Sequence, residues 1–284
     1  MSLQISSLNS GSNANCYYIG NDKEAVLIDA GLSCRETEKR MKQNGLEIEK
    51  VKAIFISHEH SDHISGLAGL SKKFELPVYI TTTTMRNCPV LLNRHQVFSF
   101  KHRSPIQIGG LNVLPFQKSH DADDPHSFVV TANGINIGII TDIGYACKQV
   151  LHYFAQCHAV FLESNYCPKM LANGNYPYHL QKRISSDEGH LSNLQALELF
   201  QHYRSPFLKL LILSHLSKNN NRPELVHKLF KPHAKGVELF VASRYEASPV
   251  FMVKGKPHLL TTATKSNYKP SKRPVPNEGQ LTLF

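Results

Sequence analysis

Four side chains of metal-ligand type fall within six positions in His58-Glu59-His60-Ser61-Asp62-His63, directly after the apolar run 53–56. Such a run reads as a buried strand, and the segment leaving it as an extended loop whose alternate side chains share a side. His58 and His60 therefore point the same way. A turn into the following stretch, which carries helical apolar spacing over 64–73, brings Asp62 and His63 to a second position nearby. A metal site needs neutral imidazoles and carboxylates converging from a rigid edge, and this one segment can serve two adjacent cations.

The rest of the chain alternates strands and helices around it. Short strands are expected at 3–7, 16–20 and 25–29, joined by the small polar loop 9–15. Ser33 followed by Glu36 forms a capping-box pattern opening a polar helix that Gly45 can end. Further strands are expected at 52–56, 78–81, 111–116, 128–131 and 135–141, with hairpin signals at Gly109-Gly110 and Asn133-Gly134. The second half reads as helix 148–155, strand 159–163, helix 193–202, strand 208–213, helix 223–230 and strand 236–241. Two mixed sheets with helices outside fit this order. From residue 263 the composition turns to Lys, Ser, Pro and Asn, so 1–262 reads as one catalytic domain and 263–284 as a flexible basic tail.

Composition excludes several classes. With 41% hydrophobic residues in 284, the chain can bury a sizeable core and is not disordered. Its first twenty residues lack a signal-peptide pattern, and no stretch approaches the roughly 18 apolar residues of a membrane span, so neither secretion nor a membrane is expected. Six scattered cysteines without a C-x-x-C pair read as reduced thiols of a cytoplasmic protein. The 32 Lys and Arg against 22 Asp and Glu leave +10, which favours polyanionic partners such as nucleic acid.

The H-x-H-x-D-H segment resembles the signature of the metallo-β-lactamase fold hydrolases, and four further motifs of that family occur in order. Asp29 matches the early strand-end aspartate that supports the metal loop from behind the ligands; His120, Asp142 and His215 match the later ligands. The resemblance implies an α/β fold, a four-layer αββα sandwich with two mixed β-sheets. It implies two divalent metal ions, zinc or manganese: one held by His58, His60, His120 and Asp142, the other by Asp62, His63, Asp142 and His215. Two such cations sharing a water lower its pKa toward about 7 and stabilise a developing phosphoryl charge, so hydrolysis is the expected chemistry. His60 also argues against the diiron oxidoreductases of this fold, which carry Glu there.

The stretches Ser10-Gly11-Ser12-Asn13-Ala14-Asn15-Cys16, Glu163-Ser164-Asn165, Gly189-His190-Leu191-Ser192-Asn193 and His215-Leu216-Ser217-Lys218-Asn219-Asn220 look like the YycJ/WalJ branch, cytoplasmic 5′-to-3′ exonucleases acting on DNA. Tyr166-Cys167 departs from the His-Asp common in that branch. Physically, 189–193 reads as a loop entering a helix with Ser192 as N-cap; its free amides, with Arg183, His190 and Asn193, can hold a substrate phosphate.

The chain ends Gln280-Leu281-Thr282-Leu283-Phe284. This resembles the Q-L-x-L-F pentapeptide by which bacterial replication and repair proteins dock on the sliding clamp, which makes Gln280, Leu281, Leu283 and Phe284 candidate clamp contacts. The expected function is a two-metal DNA phosphodiesterase in repair or replication. The rivals are a small-molecule hydrolase of the same fold acting on a lactam, thioester or cyclic phosphate, a tRNA-processing endonuclease, and a non-catalytic clamp- or DNA-binding module.

Overall fold

A computed structural model describes residues 2–262. The expected tail and its terminal pentapeptide lie outside the described residues. The first half of the chain supplies strands β1 (Leu3–Asn9), β2 (Cys16–Gly20), β3 (Ala25–Ile28), β4 (Val51–Phe55), β5 (Val78–Tyr79) and β6 (Val97–Phe98). The second half supplies β7 (Ile106–Ile108), β8 (Leu111–Gln117), β9 (His126–Ala132), β10 (Ile135–Ile140), β11 (Ala159–Glu163), β12 (Leu210–Ser214) and β13 (Glu238–Val241). The final strand, β14 (Phe251–Val253), returns to the first sheet and pairs with β1.

The two seven-stranded sheets run β14-β1-β2-β3-β4-β5-β6 and β13-β12-β11-β10-β9-β8-β7. Each is antiparallel on one side and parallel on the other: β3 to β6 and β10 to β13 are parallel. The parallel strands are buried along their whole length in β3, β10, β11 and β12, as strands covered on both faces must be. Alternation then sorts their side chains. Val26, Ile28, Phe55, Ile137, Ile139 and Phe161 meet between the sheets. Leu27, Ile54 and Ile56 turn outward under helices Cys34–Gln43 and Leu67–Phe74. Ile140, Val160, Leu162 and Leu213 turn outward under Lys148–Phe154, Asn193–Tyr203 and Pro223–Phe230. Three apolar layers thus separate four layers of structure, the αββα sandwich.

Several elements depart from the expected bounds. The apolar stretch 64–73 is two helices, Ser61–Ile64 and Leu67–Phe74, because Gly66 packs against the Leu32 carbonyl, where a Cβ would lie 1.6 Å away. At Ser33 only half of the capping box forms: its hydroxyl accepts from the Glu36 amide, while the Glu36 carboxylate turns to Arg40 at 2.9 Å. Helices Thr82–Asn87, Pro168–Ala172 and Tyr178–Ile184 and the strand β14 carry no clear sequence signal and were not expected. Both hairpins form at the expected turn pairs, β7–β8 at Gly109-Gly110 with Gly109 at φ +57° and β9–β10 at Asn133-Gly134 with φ +51° and +74°.

A candidate metal centre at the strand ends

The strands β3, β4, β8, β10, β11 and β12 all end at one rim of the sandwich, and the chain leaves each one on a polar residue or loop. Three of these exits are left-handed: Asp29 at φ +61°, Asp142 at +55° and His215 at +56°. That conformation costs a residue with a Cβ about 1–2 kcal/mol. Its occurrence at three converging strand ends marks a place where the fold holds side chains against local preference.

The loop after β4 is anchored from behind. Asp29 Oδ1 accepts from the Ser57 amide at 2.8 Å, and Oδ2 from the Ser57 hydroxyl at 2.9 Å and His63 Nδ1 at 2.7 Å. The Ser57 Oγ in turn lies 2.8 Å from His58 Nδ1. Because that hydroxyl donates to Asp29, it accepts from His58, and both imidazoles carry their proton on Nδ1. His120 Nδ1 donates to the Gly189 carbonyl at 3.0 Å, and His215 Nδ1 lies 3.0 Å from Glu163 Oε1. Four imidazoles are thereby fixed with Nε2 lone pairs facing inward, the arrangement by which supporting acceptors orient metal-binding histidines.

The seven residues expected as ligands come together in overlapping groups. His58, His60 and His120 form one, His58, His63 and Asp142 a second, and Asp62, His63 and His215 a third. A fourth group joins Asp142 and His215 to Glu163 and His190. His58 Nε2 is 3.1 Å from His60 Nδ1; Asp142 Oδ2 is 3.5 Å from His63 Nε2, and its Oδ1 is 3.3 Å from His215 Nδ1. Asp142 therefore stands where both halves of the cluster reach it.

The donor set fits divalent cations. His120 Nε2, His215 Nε2 and Asp142 Oδ2 are buried and make no hydrogen bond, although such groups are ordinarily satisfied. Electrostatics gives the same answer. Burial opposes charge on His63 and His215, yet the surrounding carboxylates outweigh it, raising His63 well above its ordinary value and His215 to about 10. Asp62 and Asp142 are held well below the carboxylate range against their burial, chiefly by His63 for the first and His215 for the second. Burial first, and then neighbouring positive charge from Lys118 and other imidazoles, pushes His120 down to about 3 and His58 well below its ordinary value. The pocket thus keeps His58 and His120 neutral while its carboxylates favour positive charge at His63 and His215, charge that a bound divalent cation would supply in place of the protons.

Of the residues expected to hold phosphate, two are placed at the mouth. His190 Nδ1 is 2.8 Å from Glu163 Oε1, and Arg183, 60% exposed at its side chain, donates to Asp121 at 2.6 Å. The other two face inward. Ser192 is committed to a full capping box with Gln195, and the Asn193 amide is buried between Ser164 and Asn221. The expected N-cap at Ser192 forms.

Three site residues escaped the sequence reading. Glu163 is fully buried; its Oε2 accepts from the Ile143 and Leu191 amides, while Oε1 faces His190 and His215. It closes an apolar strand as Asp29 and Asp142 nearly do, a signal that was available. Asn15 donates to Asp62 at 3.0 Å from a small-residue loop. Lys118, fully buried, donates to the Thr141 carbonyl at 2.8 Å; burial lowers its pKa against the pull of Asp142 and Asp29.

The pattern of the metallo-beta-lactamase superfamily matches residues 10–154, and the chain belongs to that superfamily. Its fold and donor set are those of a metal-dependent hydrolase. Within the superfamily it falls in the YycJ/WalJ-like branch. It is 37% identical to exodeoxyribonuclease YycJ of Bacillus anthracis, over 79% of this chain and 86% of that protein. It is 32% identical to exodeoxyribonuclease WalJ of Streptococcus pneumoniae, over 79% and 85%. The metallo-beta-lactamase fold protein YhfI of Bacillus subtilis superposes with a TM-score of 0.69 at 16% identity, covering 89% of this chain and all of that one. Among the described residues no helix is long and apolar enough to cross a membrane.

Proposed function

We propose that this protein is a DNA exonuclease that hydrolyses phosphodiesters with two divalent cations, zinc or manganese, and digests from the 5′ end. The observation that carries the reading is the pair of ligand groups meeting at Asp142, in a chain whose branch includes exodeoxyribonucleases. His58, His60, His120 and Asp142 would hold one cation, and Asp62, His63, Asp142 and His215 the other. When bound, such a pair supplies a water of lowered pKa and charge stabilisation at the phosphoryl oxygen.

The chain's own residues do the rest. Glu163, brought down to about 2 by His190 and His215 against its burial, stays ionised and holds the His190 proton on Nδ1. The His190 Nε2 is then the ring atom left to meet a phosphate oxygen or a leaving hydroxyl. Arg183 sits beside Asp121 within reach of the same mouth and offers a guanidinium for a backbone phosphate. The net charge of +10 draws a polyanion to the rim. A role in repair or replication, in the cytoplasm, and docking on a sliding clamp through Gln280 to Phe284 belong to the same proposal.

The test is a substrate panel: end-labelled single- and double-stranded DNA beside a chromogenic lactam and a cyclic nucleotide, each with manganese or zinc. Release of nucleotides from the 5′ end, with neither small substrate turned over, supports the reading. Turnover of the lactam or cyclic nucleotide with intact DNA contradicts it.

A further inference from the structure

A second concavity of about 280 Å³ opens beside the metal loop, lined by Thr82, Ser99, Lys101, His102, Asp124 and His126 among others. It is built onto the metal centre from two directions. The His126 amide donates to the Ser57 carbonyl at 2.9 Å, one residue before His58. The Asp123 amide donates to Glu59 Oε1 at 3.1 Å, between His58 and His60. The segment separating cleft from cations is the one that carries His120.

Its chemistry is neutral and mixed. His102 Nδ1 accepts from the Gln117 amide at 3.3 Å, so its Nε2 carries the proton and is a donor. His126 Nδ1 donates to the Asp124 carbonyl at 2.9 Å, so its Nε2 is an acceptor; that atom is buried and makes no hydrogen bond. Burial keeps both imidazoles below their ordinary pKa. The Thr82 and Ser99 hydroxyls, 3.1 Å apart, add groups that donate or accept at the mouth. Lys101 is the single fixed cation of the lining, and Asp124 offsets it. A phosphate is poorly served by one ammonium beside a carboxylate and neutral rings. A nucleoside, with donors and acceptors on one base edge and sugar oxygens behind it, matches the inventory, and the volume suits one small-molecule unit.

We infer that this cleft is a nucleoside subsite, taking the base and sugar next to the scissile phosphodiester. The inference rests on the nuclease reading above and adds to it a path for the strand. One nucleoside is seated between Thr82 and His126, the scissile phosphate lies over the cations, and the neighbouring phosphate passes to Arg183 and His190 on the far side of His120.

Binding separates this inference from the nuclease reading. The wild-type, metal-loaded protein is titrated with a fluorescent, nuclease-resistant phosphorothioate hexanucleotide, beside Thr82→Ala/Ser99→Ala, which removes two hydroxyls, and Ser99→Trp, which fills the cleft. None of these residues is a proposed ligand, and both side chains are exposed, so folding is checked simply by an unchanged unfolding temperature. The expected result is a dissociation constant raised about tenfold in both variants, with hydrolysis of bis(p-nitrophenyl) phosphate, too small to need the cleft, unchanged. A hexanucleotide affinity within twofold of wild type in both variants overturns the subsite. A wild type that hydrolyses bis(p-nitrophenyl) phosphate but no DNA overturns the nuclease reading instead, and the titration still decides the cleft.

Discussion

Glu163, read in the sequence only as part of a family stretch and given no role there, carries much of the site. Its two oxygens receive two backbone amides and face two imidazoles, all buried. Glu163→Ala strands those donors and removes a buried charge from its partners, a loss of about 3–5 kcal/mol. Urea unfolding checks this figure. Glu163→Gln keeps the shape but not the charge, and the expected outcome is a smaller stability loss with a lower kcat on DNA, measured by release of labelled nucleotide. At the mouth, Arg183→Ala breaks an exposed ion pair worth at most about 1 kcal/mol, so stability barely changes. Both Arg183→Ala and His190→Ala lower DNA cleavage and leave bound metal, measured by mass spectrometry, at the wild-type level. His58, His60, Asp62 and His63 stood out by their spacing after an apolar strand, whereas His120, Asp142 and His215 were found only through the family resemblance; the structure gathers all seven. At Ser192 the expected N-cap forms, and its hydroxyl and the Asn193 side chain are both engaged within the protein.

Between elements, the site depends on backbone approaches that leave no room for a side chain. Gly31 follows the Asp29 exit, and a Cβ there would sit 1.8 Å from the Asp62 carbonyl, with the Gly31 amide donating to Asn15 at 2.9 Å. No rotamer relieves a clash with backbone, so Gly31→Ala must displace the 58–63 loop. The expected cost is about 1–3 kcal/mol or more in thermal unfolding, accompanied by lower metal occupancy in the purified protein. The long strands were readable from their apolar runs. Helices Pro168–Ala172 and Tyr178–Ile184 were not, being short, with one buried residue in the first and none in the second, and so without an apolar stripe. β14 was missed because three residues at an edge have a pattern only once β1 stands beside them.

For the whole molecule, charge and fold act together: a basic chain gathers the metal-ligand groups and the neighbouring cleft at one rim of the sandwich. DNA affinity should fall with salt, with a slope near −0.9 in log K per duplex phosphate neutralised. Removing residues 263–284, with Lys265, Lys269, Lys272 and Arg273, should flatten that slope, measured by fluorescence anisotropy across a salt series. The sandwich itself was legible from the order of strands and helices, since two apolar sheets need helices on their outer faces. Which strands closed each sheet was not, because edge pairing is decided by contacts distant in sequence.

The central claim is that two cations, joined through Asp142, drive hydrolysis of DNA. Its most direct test is cleavage of 5′-labelled DNA by chelator-stripped protein as manganese or zinc is restored in measured equivalents. Activity should vanish on stripping and return in full only as the second equivalent binds, while Asp142→Asn, still folded by circular dichroism, should stay inactive at every ratio. Cleavage by the stripped protein, or full activity at one equivalent, would contradict the account.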